Sequence, residues 1–296
     1  MKNLLDKIIL GDTLEILKKM DSDSVDLGVT SPPYNKQENK KGWLVSNVKY
    51  NKVSDKKDEM GYQDEQIAVL NELYRVMKPG GSFFYNHKIR WEQGVLIHPM
   101  SWLSKTDWTI RQEIIWDRMI AANIRGWRFW QTDEKIYWLY KPTKNKKIGE
   151  ELLSKHALLT SIWRFSPERN NPHPAPFPVL LPLRCIYSLL DDKKDAVIID
   201  PYMGSGSTAI SAKLLNHNFI GIDISQEYIN LAQERLDNLQ RYASLLEEEK
   251  KKHIVRKTFK ERKEKGEFTG KFKKNSICSI NNKKLTTSNI LASLFD

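Results

Sequence analysis

The feature that most constrains the fold is an alternation of strand and helix patterns in the last third of the chain. Short apolar runs at Ala196–Ile199 and Phe219–Ile222 have the length and composition of buried strands. Each is followed by apolar residues at helical spacing, over Gly204–Leu215 and Gln226–Leu239. Strands that are connected through helices pair in parallel, so this region predicts a parallel sheet covered by helices.

The first third of the chain leads into an unusual loop. The pattern predicts a strand at Lys7–Leu10, a turn at Gly11-Asp12, a helix through Met20 and an apolar strand at Val25–Thr30. That strand runs directly into Ser31-Pro32-Pro33-Tyr34. Two consecutive prolines continue neither a ladder nor a helix interior, so the chain leaves the sheet there as a stiff loop. Further predicted elements are a helix over Asp64–Met77 stopped by Lys78–Gly81, strands at Ser82–Tyr85 and Gln112–Trp116, and a helix at Val179–Leu190.

Composition narrows the class of partner. The 296 residues carry a formal net charge of +11, which favours a polyanionic partner such as nucleic acid. Cys185 and Cys278 are the two cysteines, and neither has a Cys or His at metal-ligand spacing, so no metal site is predicted. No apolar run approaches the roughly 20 residues of a membrane span, and no signal peptide is indicated. The expectation is a soluble cytoplasmic protein without a membrane partner.

The turn from Asp200 to Thr208 follows a predicted strand and opens a helix, as ligand-binding turns do. Its glycines allow close backbone approach, and a carboxylate at Asp223, after the next strand, is suited to ribose hydroxyls. The third glycine of a dinucleotide fingerprint and a phosphate-binding loop are both missing, so a nucleoside ligand without phosphates fits better. The alternative is a tight turn whose glycines serve packing, with Asp223 as a helix N-cap.

The Ser31–Tyr34 loop has the groups needed to activate an amino nitrogen. The lone pair of a base amino group is delocalised into the ring, and acceptors facing its N–H groups free that pair for attack. Ser31 Oγ and the Pro32 carbonyl are such acceptors, and Tyr34 offers a flat face on which an extruded base can stack. The alternative is an ordinary proline-rich loop with Tyr34 in the core.

Taken together and in this order, these motifs resemble those of the DNA amino-methyltransferases, in particular the β-class with its permuted motif order. Thr30–Tyr34 resembles the catalytic motif, and Asp200–Thr208 resembles the later S-adenosylmethionine motif. Further similar segments are Gly11-Asp12, Leu73–Tyr85, Asn171–Pro178 and Gly221–Asp223. The resemblance implies an α/β fold: a seven-stranded mixed sheet of the Rossmann-like methyltransferase type, with helices on both faces.

The resemblance also assigns roles to residues. It implies S-adenosyl-L-methionine as the cofactor and direct methyl transfer to a flipped base. The implied catalytic residues are Ser31, Pro32, Pro33 and Tyr34. The residues expected to bind the cofactor are Asp12, Ser31, Pro174, Phe177, Asp200, Pro201, Gly204, Gly206, Ser207, Thr208 and Asp223.

Serine at the Ser31 position is typical of cytosine-N4 enzymes, whereas aspartate there is typical of adenine-N6 enzymes. The chain is therefore expected to methylate cytosine N4 in duplex DNA, as part of a restriction-modification system. Two alternatives stay open: an adenine-N6 enzyme and an inactive DNA-binding module of the same fold. A cognate restriction endonuclease or a second methyltransferase would be functional partners, and a homodimer is left open.

The expected organisation is a catalytic domain over residues 1–240, a target-recognition insertion over 118–162 and a charged extension over 241–296. Cations and aromatics alternate near the start of the insertion, which suits phosphate and base contact. The alternative for these residues is a Trp-rich core with a cationic rim, and for the lysines simple solvation. The residues expected to bind DNA are Lys36, Lys41, Arg118, Arg125, Trp127 and Arg128.

Overall fold

The computed structural model describes residues 2–35, 57–121, 126–143, 159–168, 171, 177–191, 193–253 and 263–266. The strands are β1 Lys7–Leu10, β2 Val25–Thr30, β3 Met77–His87, β4 Arg90–Glu92, β5 Val95–Ile97, β6 Thr109–Asp117, β7 Asp133–Tyr140, β8 Ile162–Arg164, β9 Val197–Asp200 and β10 Asn218–Asp223. The α-helices are α1 Thr13–Lys18, α2 Glu59–Val76, α3 Met100–Leu103, α4 Leu180–Leu190, α5 Ser207–Leu214, α6 Gln226–Asp237 and α7 Ala243–His253.

Eight strands form one mixed sheet in the order β1-β10-β9-β2-β3-β7-β6-β8. The five strands from β1 to β3 are parallel, β7 runs antiparallel to both β3 and β6, and β8 is parallel to β6. The predicted α/β mixed sheet is confirmed. The predicted count of seven strands is corrected to eight within the described residues, with the three-residue β8 at the far edge pairing with β6.

The carboxyl ends of the parallel strands meet at one edge of the sheet, which we call the carboxyl edge. Because β7 is antiparallel to β3, its amino end lies at this same edge, where Lys135 is opposite His87. The end of β6 lies there too, since Asp117 is opposite Asp133. Segments from every part of the sequence therefore converge on this edge.

Apolar layers cover both faces of the sheet. Alternate residues of a strand point to opposite faces, and β3 shows this directly: Phe84 packs in the cluster that contains Leu181 of α4, whereas Phe83 packs in the cluster that contains Leu73 of α2. Among the described residues, no helix is both long and apolar enough to cross a membrane.

The segment Lys78–Gly81 was predicted to stop a helix, and α2 does end just before it, at Val76. The segment is nevertheless part of β3, as an irregularity where the pairing shifts from Val25–Met77 to Leu27–Ser82. Gly80 has a φ of 88° and donates its N–H to the Lys141 carbonyl at 2.7 Å. The sheet therefore absorbs these residues instead of ending before them.

The predicted domain boundaries stay predictions, and the structure shows how the segments at two of them pack. Strand β7 falls inside the predicted insertion 118–162 and lies in the interior of the sheet between β3 and β6. Beyond the predicted boundary at residue 240, α7 packs on α4. Its Glu249 is fully buried and forms an ion pair with Arg184, and His253 is buried against the same carboxylate. The Lys- and Glu-rich composition of this stretch gave no sign of a buried face.

Candidate active site at the carboxyl edge

Asp200, at the end of β9, ties together the elements on the β9–β10 side of the edge. Its fully buried carboxylate accepts from Thr30 Oγ1 at 2.6 Å, from Thr208 Oγ1 at 2.7 Å and from the Tyr202 N–H at 3.1 Å. Burial raises the pKa of Asp200 to about 6, against the lowering effect of these hydrogen bonds. The Asp200 and Thr208 side chains are thus both hydrogen-bonded inside the protein, and the expected contact of these residues with the cofactor stays a prediction.

Three more predicted cofactor residues are also engaged internally. The Ser207 hydroxyl donates to the Phe177 carbonyl at 2.9 Å, and the Phe177 ring lies in the apolar cluster beneath α4. The Pro201 carbonyl accepts from Thr13 Oγ1 at 2.6 Å. These contacts hold the turn in place, so the backbone of residues 201–206 is what the turn can offer to a ligand. Pro174 lies outside the described residues.

The glycines of the turn are required by its geometry. Gly204 and Gly206 have φ values of 51° and 83°, in the left-handed region that favours glycine. A Cβ on Gly206 would also lie 2.7 Å from the Cβ of Ala232 in α6. Because Gly206 caps the helix from this conformation, α5 begins at Ser207 and not at Gly204 as predicted. The packing of the turn against α6 and the exposure of the turn's backbone therefore both depend on these glycines.

Asp223 ends β10 in a position suited to a ligand. Its oxygens accept the backbone N–H groups of Gly204 and Ser225, each at 2.8 Å, and the residue is half-buried. Burial raises its pKa. The alternative role as a helix N-cap is excluded, because Ser225 is the N-cap of α6. The Ile224 backbone also donates to this carboxylate. A carboxylate can accept about four hydrogen bonds, so Asp223 can still accept from a ribose hydroxyl.

Asp12 lies beside Asp223 at the same edge. The Gly11 N–H donates to the Asp223 carbonyl at 3.0 Å, and Asp12 is the exposed N-cap of α1, accepting from the Glu15 N–H at 3.0 Å. Two neighbouring carboxylates, a glycine turn without a phosphate-binding sequence and the end of β10 together fit a nucleoside with free hydroxyls better than a phosphorylated one.

The catalytic-motif loop leaves β2 next to this turn. Ser31 Oγ lies 2.6 Å from the Tyr34 hydroxyl, and the Pro33 carbonyl accepts from the Tyr62 hydroxyl at 2.8 Å. The Tyr34 ring is buried, with its centroid 4.7 Å from that of His87 and the planes at 45°. In this conformation Tyr34 therefore packs in the protein, as its alternative role anticipated. Its stacking on an extruded base stays a prediction.

Sequence reasoning missed two residues of this site, Asn86 and Glu134. Asn86 is the second-last residue of β3, and its amide nitrogen lies 2.9 Å from both the Tyr34 hydroxyl and Glu134 Oε2. The Tyr34 hydroxyl donates to Glu134 Oε2 at 3.0 Å, and Arg118 Nη1 lies 3.2 Å from Glu134 Oε1. No local pattern marks Asn86 or Glu134 as functional, because each is simply a polar residue at a strand end.

His87, adjacent to this network, is enclosed by aromatic rings. Its Nε2 lies 2.8 Å from the Tyr62 hydroxyl, and the ring is in edge contact with Trp102 at 5.0 Å. Burial lowers the pKa of His87 to about 3, with a further lowering by Arg90. The imidazole is therefore neutral at physiological pH, and its role is to pack against Tyr34.

Residues 126–132 form a loop between β6 and β7 that carries exposed aromatic side chains; we call it the aromatic loop. Trp127, Phe129 and Trp130 are 58%, 98% and 63% exposed. The Arg128 guanidinium lies over the Trp91 ring at 4.1 Å. This loop lies between β6 and β7, and the ends of these strands at Asp117 and Asp133 are paired at the carboxyl edge, so the loop borders that edge.

Of the residues expected to bind DNA, Trp127 and Arg128 lie on this exposed surface. Arg118 is instead buried, with Nη1 on Glu134 and Nη2 donating to the Gln131 carbonyl at 3.3 Å. Its guanidinium is therefore held in an internal ion pair, and its expected DNA contact stays a prediction. Lys36, Lys41 and Arg125 lie outside the described residues.

The comparisons with known proteins agree with this geometry. Residues 25–234 match the model of a family described as DNA methylase, and residues 181–294 match that of the D12 class N6 adenine-specific DNA methyltransferases. The chain belongs to the N6/N4 DNA methylase family. It is a DNA methyltransferase, and its cofactor is S-adenosyl-L-methionine, as expected.

Individual relatives are more distant. The chain is 28% identical to the type II methyltransferase M.HinfI of Haemophilus influenzae, over 80% of this chain and 69% of that protein. It is 29% identical to M2.DpnII of Streptococcus pneumoniae, over 78% and 89%. Among solved structures, the PvuII cytosine-N4-specific DNA methyltransferase has a TM-score of 0.62 at 18% identity, covering 81% of this chain and 92% of that one. These structural matches show the shared fold.

Proposed function

We propose that this methyltransferase modifies the N4 amino group of cytosine in duplex DNA, by direct transfer to a base turned out of the helix. The observation that carries the proposal is Ser31 Oγ at the end of β2, held 2.6 Å from Tyr34 beside the cofactor turn. When bound, S-adenosyl-L-methionine would supply the methyl carbon: its bond to sulfur would break as the bond to nitrogen forms, S-adenosylhomocysteine would leave, and the methylated nitrogen would release one proton to water.

The chain's own residues prepare the acceptor nitrogen. Ser31 Oγ and the Pro32 carbonyl accept its N–H groups, which draws the nitrogen lone pair out of conjugation and directs it towards the cofactor side. Asp223 and the turn at Gly204–Gly206 hold the cofactor on that side. No covalent enzyme intermediate is needed, because an exocyclic nitrogen already has a lone pair.

Cysteine is also poorly placed to act as a nucleophile. Cys185 is fully buried in α4, and burial raises its thiol pKa well above the ordinary value. Cys278 lies outside the described residues.

The second candidate function is adenine-N6 methylation, favoured by the match of residues 181–294 to a family described as N6 adenine-specific. Serine at the Ser31 position is typical of cytosine-N4 enzymes, so it favours cytosine N4 over adenine N6 as the methylated group.

We assign the DNA-facing surface to the aromatic loop and the biological setting to a restriction-modification system, with duplex DNA as substrate. Arg128 supplies a cation, and Phe129 supplies an exposed apolar side chain next to the site of chemistry. Proteins that distort duplex DNA insert such apolar side chains between base steps. Relatives named as type II methyltransferases support this setting and a cognate endonuclease as functional partner.

The test is to incubate the protein with duplex DNA and cofactor and to identify the modified nucleoside by mass spectrometry. We expect N4-methylcytosine, and Ser31→Ala should lower kcat at least about tenfold, a change of roughly 1.4 kcal/mol in activation free energy. Ser101→Ala, an exposed serine on α3, is the matched control. N6-methyladenine would select the second candidate, and an unaffected Ser31→Ala enzyme would remove Ser31 from the site.

A further inference from the structure

The buried network around Glu134 imposes a direction on the hydrogen bonds that reach Ser31. Glu134 is 7% exposed and faces Arg118 with one carboxylate oxygen at 3.2 Å. Its other oxygen receives the Tyr34 hydroxyl at 3.0 Å and the Asn86 amide at 2.9 Å. A carboxylate paired with a guanidinium only accepts hydrogen bonds, so each of these neighbours must donate to it.

Asn86 shows how strongly the carboxylate sets this direction. Its NH₂ group faces Glu134 and Tyr34, while its buried Oδ1 has no hydrogen-bond partner among the described residues. Buried oxygens without partners are rare because they lose their hydration. The reverse orientation of the amide would place Oδ1 against the carboxylate, which is worse. The orientation of Asn86 is thus explained by Glu134.

Glu134 also sets the direction of the hydrogen bonds made by Tyr34 and, through Tyr34, by Ser31. Tyr34 has one hydroxyl proton, and the charge-assisted bond to Glu134 is the stronger use of it. The Tyr34 oxygen is then an acceptor for Ser31 Oγ–H across 2.6 Å. With its own proton committed to Tyr34, Ser31 Oγ accepts from the Asn86 amide at 3.3 Å and keeps one lone pair for a target amino group.

We propose that Glu134 is a positioning residue that keeps Ser31 Oγ a hydrogen-bond acceptor for the target amino group. An amino group approaches with N–H bonds, so an accepting Ser31 binds it and a donating Ser31 repels it. The inference rests on the proposed catalytic role of Ser31. It assigns Arg118 the task of holding the Glu134 carboxylate in place through their ion pair.

Glu134→Gln tests the direction while keeping the shape. Arg118 can only donate, so it draws the glutamine oxygen to its side and leaves the NH₂ group facing Tyr34. Tyr34 then accepts from the glutamine and donates to Ser31, and Ser31 presents a proton to the amino group. We expect the single-turnover methylation rate to fall at least about tenfold, with cofactor affinity by isothermal titration unchanged within twofold.

Tyr34→Phe removes the hydroxyl that connects Glu134 to Ser31, so a change at Glu134 can no longer reverse the hydrogen bond at Ser31. In a Tyr34→Phe background, Glu134→Gln should therefore cost less than about threefold, although it costs tenfold or more in the wild type. Glu134→Asp, which keeps the carboxylate but shortens the side chain, should be more active than Glu134→Gln. A purely structural role predicts the opposite order, since glutamine preserves the shape better.

The outcomes are distinguishable. Equal costs of Glu134→Gln in the two backgrounds, or a Glu134→Gln rate within twofold of wild type, would overturn the inference. Melting temperatures of all variants show whether a lost rate reflects unfolding, and the Glu134→Asp comparison remains informative if Glu134→Gln does not fold. If Ser31→Ala retains the wild-type rate, the proposed function of Ser31 fails first. If Ser31→Ala is inactive and Glu134→Gln is normal, only the role of Glu134 is wrong.

Discussion

The two halves of the carboxyl edge contain buried carboxylates that are stabilised in different ways. Among the described residues, the hydrogen-bond donors to Asp200 are neutral: two threonine hydroxyls and one backbone N–H. Glu134 instead faces the Arg118 guanidinium and takes donors from Tyr34 and Asn86. The cofactor half is thus a scaffold of backbone and small hydroxyls, whereas the target half is a charged network of large side chains.

The two carboxylates therefore have different roles: one maintains the conformation of the cofactor turn, and the other sets the direction of the hydrogen bonds at Ser31. Asp200 fastens β9 to β2 and α5, which keeps the cofactor turn in one conformation. Glu134 sets the direction of the hydrogen bonds from Tyr34 and Ser31, and this direction determines whether a donor or an acceptor can bind to Ser31. Substitutions in one half should therefore leave the function of the other half intact, and this expectation can be tested.

The largest effect is expected from the pH dependence of stability at Asp200. Its folded pKa of about 6 exceeds the ordinary value of 3.8, so the folded state binds its proton more tightly and stability falls as the pH rises through this interval. The loss amounts to at most about 3 kcal/mol at roughly 1.36 kcal/mol per pKa unit. Urea unfolding at pH 4.5 and 7.5 should show a smaller decline with rising pH in Asp200→Asn than in wild type.

Asp64→Asn, at an exposed position on α2, controls for the substitution itself. If wild type and Asp200→Asn change in parallel over this pH range, the buried carboxylate does not carry a raised pKa, and the contrast between the halves disappears.

The next effect concerns the cofactor. Asp223→Ala should weaken S-adenosyl-L-methionine binding by about 1–3 kcal/mol, the scale of hydrogen bonds to a charged group, and should leave DNA affinity without cofactor unchanged. Isothermal titration measures the first quantity and fluorescence anisotropy the second. Asp237→Ala, exposed at the other end of α6, is the control. Unchanged cofactor affinity in a folded Asp223→Ala protein would remove Asp223 from the site.

A smaller effect is expected at the aromatic loop. Phe129→Ala should lower kcat/KM on duplex DNA about tenfold, because base stacking on an aromatic contributes roughly 1–3 kcal/mol, while Phe129→Trp should retain activity. A duplex whose target base is mispaired should relieve the defect, since such a base needs less help to leave the stack. A defect of the same size on the mispaired duplex would argue against insertion.

The smallest effect is expected from the cysteines. Replacing both Cys185 and Cys278 by serine should change kcat by less than twofold per folded enzyme, because neither forms a bond to the base. Folding of the variant can be followed by its melting temperature, since Cys185 is in the core. Loss of activity in a folded double variant would contradict direct transfer.

Local patterns were sufficient for much of the fold. Val25–Thr30 and Lys7–Leu10 are strands with the predicted bounds, and α6 begins at Gln226 as predicted. Periodicity succeeds here because burial on one face of a strand or helix repeats at 2 or 3.6 residues along the chain. The turn after β9 was also recognisable, since its glycines and Asp223 lie within 24 residues of one another along the sequence.

The sequence by itself determined the fold class, the order of motifs and the presence of the cofactor turn, because each depends on residues close along the chain. Only the tertiary structure decided that Glu134 lies on Tyr34, 100 positions away, and that Glu249 of α7 is buried on Arg184, 65 positions away. Composition marked the second of these regions as a charged extension. A charged residue is buried only when a distant partner compensates its lost hydration, and that partner is known once the sheet order brings the two segments together.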